Sequence, residues 1–102
     1  MDRLYDFARA RGVTLMAATH SRYVVDLNRD PEGAALYPGA SNTELCPTGR
    51  FDGGPVWCDG AAADPLLDVA ARRRAYFDPY HAQLQAELDR VHARHGYVVL
   101  LD

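Results

Sequence analysis

Between Arg29 and Gly60 the chain carries Pro31, Gly33, Pro38, Gly39, Pro47, Gly49, Gly53, Gly54 and Pro55. Proline removes a backbone donor and glycine adds conformational freedom, so no long helix or strand can form across this span. Connections in small domains usually run to about 4–6 residues, and longer ordered loops are most often functional. Leu36, Tyr37, Leu45, Phe51, Val56 and Trp57 give the span enough apolar surface to lie over something as an ordered loop. Regular structure must therefore come from the two flanks.

On the first flank, residues 2–11 place Leu4, Phe7 and Ala8 at helical spacing, and Gly12 suits the position just past a helix end. "VTLMAAT" (13–19) is an apolar run of strand length, as expected of a strand covered on both faces, and "RYVVDLN" (22–28) reads as a second strand. On the other flank, Asp64 followed by Pro65 is a helix start. Phe77, Tyr80, Leu84, Leu88 and Val91 then recur every three or four residues, so one stripe faces a core. Pro79 should kink this helix or split it in two. Gly96 ends it, and "YVVLLD" (97–102) reads as another doubly buried strand.

This order is a βαβ pattern and predicts an α/β fold. Strands buried on both faces need helices on both sides and further strands beside them. With only two helical stretches, residues 1–102 are expected to form a single partial domain, part of a larger sheet. Ligands of open α/β sheets bind at the carboxyl ends of strands, and Asp102 stands at such an end.

A net charge of −3 gives no reason to expect nucleic acid or an anionic membrane surface as partner. No apolar run approaches the roughly 18 residues of a membrane span, and "MDRLYDFARARG" has no signal-peptide core. A cytoplasmic location is expected, with Cys46 and Cys58 as free thiols in packing roles. Cys-x-x-Cys spacing is absent, and nothing in the sequence sets an oligomeric state.

The polar equipment of "HSRYVVDLNRDP" (20–31) stands out. Arginine presents paired donors matched to a carboxylate, and an asparagine amide adds another, so Arg22, Asn28 and Arg29 can form a carboxylate receptor. In a straight strand Arg22 and Asn28 would lie about 20 Å apart and Asn28 and Arg29 would face opposite ways. Convergence therefore needs a turn just past Leu27, which "NRDP" permits. The alternative is that Asp26 pairs with an arginine and the rest is solvated rim.

Other candidates carry less chemistry. His20 and Ser21 are adjacent and point apart on an extended chain, which argues against a triad with Asp26. His92 and His95 complement a helix C-terminus, and His81 reads as a hydrogen-bonded helix residue. Arg72, Arg73 and Arg74 read as a solvated face, the alternative being that one of them pairs with a loop acid such as Asp52. Asp52 and Asp59 are loop acids at an ordinary spacing, and "FDGGP" does not open into a helix as a phosphate cradle would.

"HSRYVVDLNRDP", "LYPG", "TELCPT", "RFDGGPVW", "RRRAYFDPYHAQLQAEL" and "HGYVVLLD" together resemble the N-formylglutamate amidohydrolase family in order and spacing, over essentially the whole chain. "DLNR" is also similar to the substrate-carboxylate element of the wider zinc-carboxypeptidase-like hydrolases. The resemblance implies a three-layer α/β sandwich with a mixed or mostly parallel sheet. It implies zinc-assisted hydrolysis of N-formyl-L-glutamate to glutamate and formate, in histidine degradation. Asn28 and Arg29 match the pair that grips a substrate carboxylate, and Arg22 matches the arginine that polarises the scissile carbonyl. The family's zinc ligands come from a histidine block upstream and from an Ala-His-Ser block after the aspartate matching Asp102, and neither block is in this sequence. No metal ligand is therefore assigned, and the chain alone is expected to bind no zinc and hydrolyse nothing. A small N-acyl amino acid is the expected partner. Rival readings are a non-catalytic carboxylate-binding or interaction module, or another acyl-amino-acid hydrolase of the same superfamily.

Overall fold

The computed structural model describes residues 5–34, 44–56 and 65–101. They belong to two units, Met1–Thr19 with Ala82–Asp102, and His20–His81.

In the first unit, α1 is a short helix, Asp6–Ala10, with Ala8 buried. Gly12 follows its C-cap at φ +76°, a left-handed conformation that glycine adopts without penalty. The Ala8 carbonyl accepts from both Arg11 N–H and Val13 N–H, closing the helix end. Residues 2–4 of the expected helix lie outside the described residues. Residues 13–18 run on without regular structure, and Arg90 Nη2 donates to Thr14 Oγ1 at 3.1 Å.

Helix α3, Asp78–His95, supplies the rest of this unit from Ala82 onward. Gln83–Glu87, Gln85–Asp89 and Arg90–Glu87 side-chain pairs line its exposed surface at helical spacings of three and four. Leu84, Leu88 and Val91 are half-buried, the stripe read from sequence. Gly96, at φ +77°, ends the helix by donating to His92 O. Tyr97, Val99, Leu100 and Leu101 are exposed, Leu101 by 91%.

In the second unit, α2 (Pro65–Arg72) starts with proline at its first position as expected; Asp64 lies outside the described residues. Pro79 brings the expected break in a particular form. Residues Arg73–Phe77 widen into a π turn, in which Asp78 N–H reaches back to Arg73 O, and α3 then begins. A π bulge is one of the few ways a helix accommodates a missing donor and a crowded ring. Phe77 at its end is buried with Val25 and Cys46, and Leu27, Leu45 and Val69 pack around these three.

Residues 48–56 form a closed arch. Val56 N–H donates to Thr48 O, Arg50 N–H to Gly54 O and Gly53 N–H to Arg50 O. Glu44 Oε2 accepts from both the backbone and the hydroxyl of Thr48, fixing the arch's entry.

Residues 22–28, read above as a strand, are instead two turns. Ser21 accepts Tyr23 N–H on its hydroxyl and Val24 N–H on its carbonyl, and Asp26 Oδ1 accepts Asn28 N–H. Short polar side chains bonding their neighbouring backbone compete with a ladder, and here they win. The only backbone tie of this segment to the 44–56 segment among the described residues is Asp26 N–H to Leu45 O, 2.7 Å. Among the described residues no strand forms, and the sole β-bridge joins Gly49 and Pro55. No described helix is long and apolar enough to cross a membrane.

Candidate functional site

The turn at Asp26–Asn28 gathers the residues singled out in the sequence. Asp26 is 4% exposed, an unusual burial for a carboxylate unless it is paired. Its Oδ2 lies 2.6 Å from Arg22 Nη2 and 3.7 Å from Arg29 Nε, and its Oδ1 accepts Asn28 N–H at 3.1 Å. One carboxylate thus faces two guanidinium groups. The chain turns at residues 27–28, so Arg22 and Arg29 both reach Asp26, while Asn28 is tied to it through its backbone N–H.

The three candidates are presented differently. Arg22 is half-exposed; its guanidinium carbon sits 5.2 Å from the centroid of the Phe51 ring, a cation–π contact. Arg29 is mostly covered and also donates through Nη1 to Asn28 O at 3.1 Å. Asn28 is exposed, and both of its backbone polar groups are engaged by the residues on either side.

A second layer fixes the turn. His81 Nε2 lies 3.0 Å from Leu27 O. A carbonyl can only accept, so this nitrogen carries the proton. The imidazole stacks on Phe77 with centroids 4.2 Å apart, which ties the turn to the small core. Asp30 caps the next turn by accepting Glu32 N–H, and Arg73 pairs with Glu32 at 2.7 Å and with Asp78 at 3.4 Å. Arg72 donates to Val24 O at 3.1 Å and pairs with Asp68.

The run Arg72–Arg73–Arg74 is therefore not a uniformly solvated face, since its first two members brace the turn segments and only Arg74 is left exposed without such a pairing among the described residues. Asp52 pairs with Arg50 rather than with this run. His20 stacks on Tyr76 at 4.3 Å, while His92 and His95 are exposed in the last turn of α3. Cys46 is buried in the core, where loss of solvent pushes its thiol above the usual range and nearby Arg72 only partly offsets this. Cys58 and Asp59 lie outside the described residues.

The pairing of Asp26 with an arginine, given above as the alternative, is present, and His81 is a hydrogen-bonded helix residue as expected. Three details went unread: that Asp26 serves both arginines, that His81 bonds the Leu27 carbonyl, and that Phe51 lies against Arg22. Only the first had a readable signal, in the spacings of four and three residues that separate Asp26 from Arg22 and Arg29. No group of three or more His, Cys, Asp or Glu side chains among the described residues is arranged to hold a metal ion.

Comparison with known proteins gives a consistent family. The family model for N-formylglutamate amidohydrolase matches residues 1–102. A Pseudomonas putida protein named N-formylglutamate deformylase is 40% identical over 104 residues, covering 98% of this chain and 37% of the relative. Its Pseudomonas aeruginosa namesake is 44% identical over 101 residues with the same coverage, 98% and 37%. The chain thus spans 37% of the length of these curated relatives. No solved structure matches.

Proposed function

The chain belongs to the N-formylglutamate amidohydrolase family, and we propose that it carries the substrate-carboxylate clamp of an enzyme that hydrolyses N-formyl-L-glutamate to L-glutamate and formate, in histidine degradation. The observation that supports this reading most is the meeting of Arg22 and Arg29 on Asp26. Two guanidinium groups are brought to one carboxylate there, and the paired donors of arginine suit a second carboxylate, the substrate's.

In this proposal Arg29 and the Asn28 amide grip the substrate carboxylate. Arg22 donates to the formyl oxygen as negative charge grows on it during attack by water. Phe51 against one face of Arg22 restricts that guanidinium, so less ordering is needed when substrate arrives. A preorganised donor at a developing oxyanion contributes about 3 to 4 kcal/mol of transition-state stabilisation. The zinc dependence implied by the family resemblance belongs to the proposal too, but the described residues supply no set of ligands for it, so no step is routed through the metal. The three-layer α/β sandwich, with the apolar runs 13–19 and 97–102 as strands, and the cytoplasmic location are carried over on the same terms.

The test uses the intact gene product that carries these residues, assayed for formate release with N-formyl, N-acetyl and N-succinyl glutamate. Arg29→Ala should raise KM for the formyl substrate at least about tenfold, a loss of about 1.4 kcal/mol, while zinc content stays at the wild-type level. Equal loss of substrate binding and zinc would make Arg29 a structural residue and end the clamp reading.

A further inference from the structure

One residue of the turn is assigned no contact with substrate yet holds every residue that is. We propose that Asp26 is the positioning residue of this site, the buried counter-ion that keeps Arg22, Asn28 and Arg29 in one array; the inference rests on the carboxylate-clamp reading and deepens it. Its Oδ2 takes Arg22 at 2.6 Å and Arg29 at 3.7 Å, and its Oδ1 accepts the Asn28 backbone N–H at 3.1 Å. Its own N–H is tied to Leu45 O at 2.7 Å, so the carboxylate sits on anchored backbone. With the residue 4% exposed, water has little room to replace it as partner.

Two opposite expectations separate a positioning role from a mere charge. As a bare negative charge beside an anion site, Asp26 repels the substrate carboxylate, and neutralising it should tighten binding. As the shared partner of two like-charged groups, it holds them together against their mutual repulsion, and neutralising it should scatter the array and weaken binding. Asp26→Asn is the informative change. It preserves shape and leaves an oxygen for the Asn28 amide, but puts an amide where Arg22 needs an acceptor.

The experiment is calorimetric titration of N-formyl-L-glutamate into the intact gene product and its variants, at low salt and at a temperature where each is fully folded. Asp26→Asn should weaken binding at least about tenfold, and Asp26→Glu, which keeps the charge one methylene away, should recover part of the loss. Unchanged or tighter binding by Asp26→Asn, with wild type binding and Arg29→Ala impaired, overturns the positioning role alone. Absence of binding by wild type, or binding indifferent to Arg29→Ala, overturns the clamp reading and this inference with it. Should Asp26→Asn fail to fold, the wild-type protein decides by side-chain NMR. Arg22 should show hindered guanidinium rotation relative to the exposed Arg74, and free rotation at Arg22 overturns the proposal.

Discussion

The peptide unit joining Leu27 to Asn28 is held at both ends: its carbonyl by His81 Nε2 at 3.0 Å and its N–H by Asp26 Oδ1 at 3.1 Å. His81→Phe keeps an aromatic ring against Phe77 and removes only the donor. A neutral hydrogen bond contributes about 1 kcal/mol net, and the larger penalty for a dry orphaned acceptor, up to about 3 kcal/mol, does not apply because Leu27 is only half-buried. A loss of about 1 kcal/mol lowers the folded-to-unfolded ratio about fivefold. Urea unfolding should register that loss. Amide exchange at Asn28 should quicken by a similar factor, since the peptide can now rotate away from Asp26. His81→Gln, whose amide can donate from the same helix position, should restore part of the protection. Unaltered Asn28 exchange in His81→Phe would refute the argument, and an equal loss in His81→Gln would assign the effect to ring packing instead of the hydrogen bond.

Two further outcomes follow from the fold. Burial raises the Cys46 thiol above its ordinary value of 9.0, so the thiol's contribution to stability is fully present below pH 9.0 and is lost as pH rises through the folded-state value; the stability difference between wild type and Cys46→Ala, followed by urea unfolding, should shift against wild type as pH rises past 9.0. Gly53 has φ +84°, and a Cβ there would meet nothing within 4 Å. Gly53→Ala should therefore cost about 1 to 2 kcal/mol through backbone conformation alone, and an unchanged unfolding midpoint would mean that the arch carrying Phe51 readily adopts another turn.

The features legible in the sequence are those that one residue's covalent chemistry decides. Gly12 and Gly96 end helices because a left-handed residue is needed there, Pro65 opens α2, and Pro79 interrupts the helix before α3. The half-buried stripe of α3 follows from its period. What could not be read depends on which of two nearby partners a polar group takes. "RYVV" has strand propensity, but Ser21 and Asp26 offer the backbone a closer acceptor than a neighbouring strand would, and turns result. Arg72 and Arg73 have the composition of a solvated face, yet their partners Val24 O and Glu32 lie more than forty residues earlier in the chain, where spacing gives no signal. Apolar runs such as 13–19 and 97–101 define a requirement for burial, not the partner that meets it. The candidate residues of the site were legible as a motif. The meeting of Arg22 and Arg29 on Asp26 was not, because spacings of three and four become neighbours in turns and helices and lie far apart along a strand.

Asp26 and its arginines should differ in what their loss does to the fold. A buried carboxylate is costly without a partner, and removing the sole partner of such a group commonly costs about 3–5 kcal/mol. Asp26 has two guanidinium partners and a backbone amide. Loss of Arg29 therefore leaves a neutral pair with Arg22 at 2.6 Å and the Asn28 hydrogen bond intact. The carboxylate stays compensated in the fold. Loss of Asp26 does the reverse, leaving two cations without their common partner. The fold should therefore tolerate the loss of Arg29 better than the loss of the carboxylate that both arginines share.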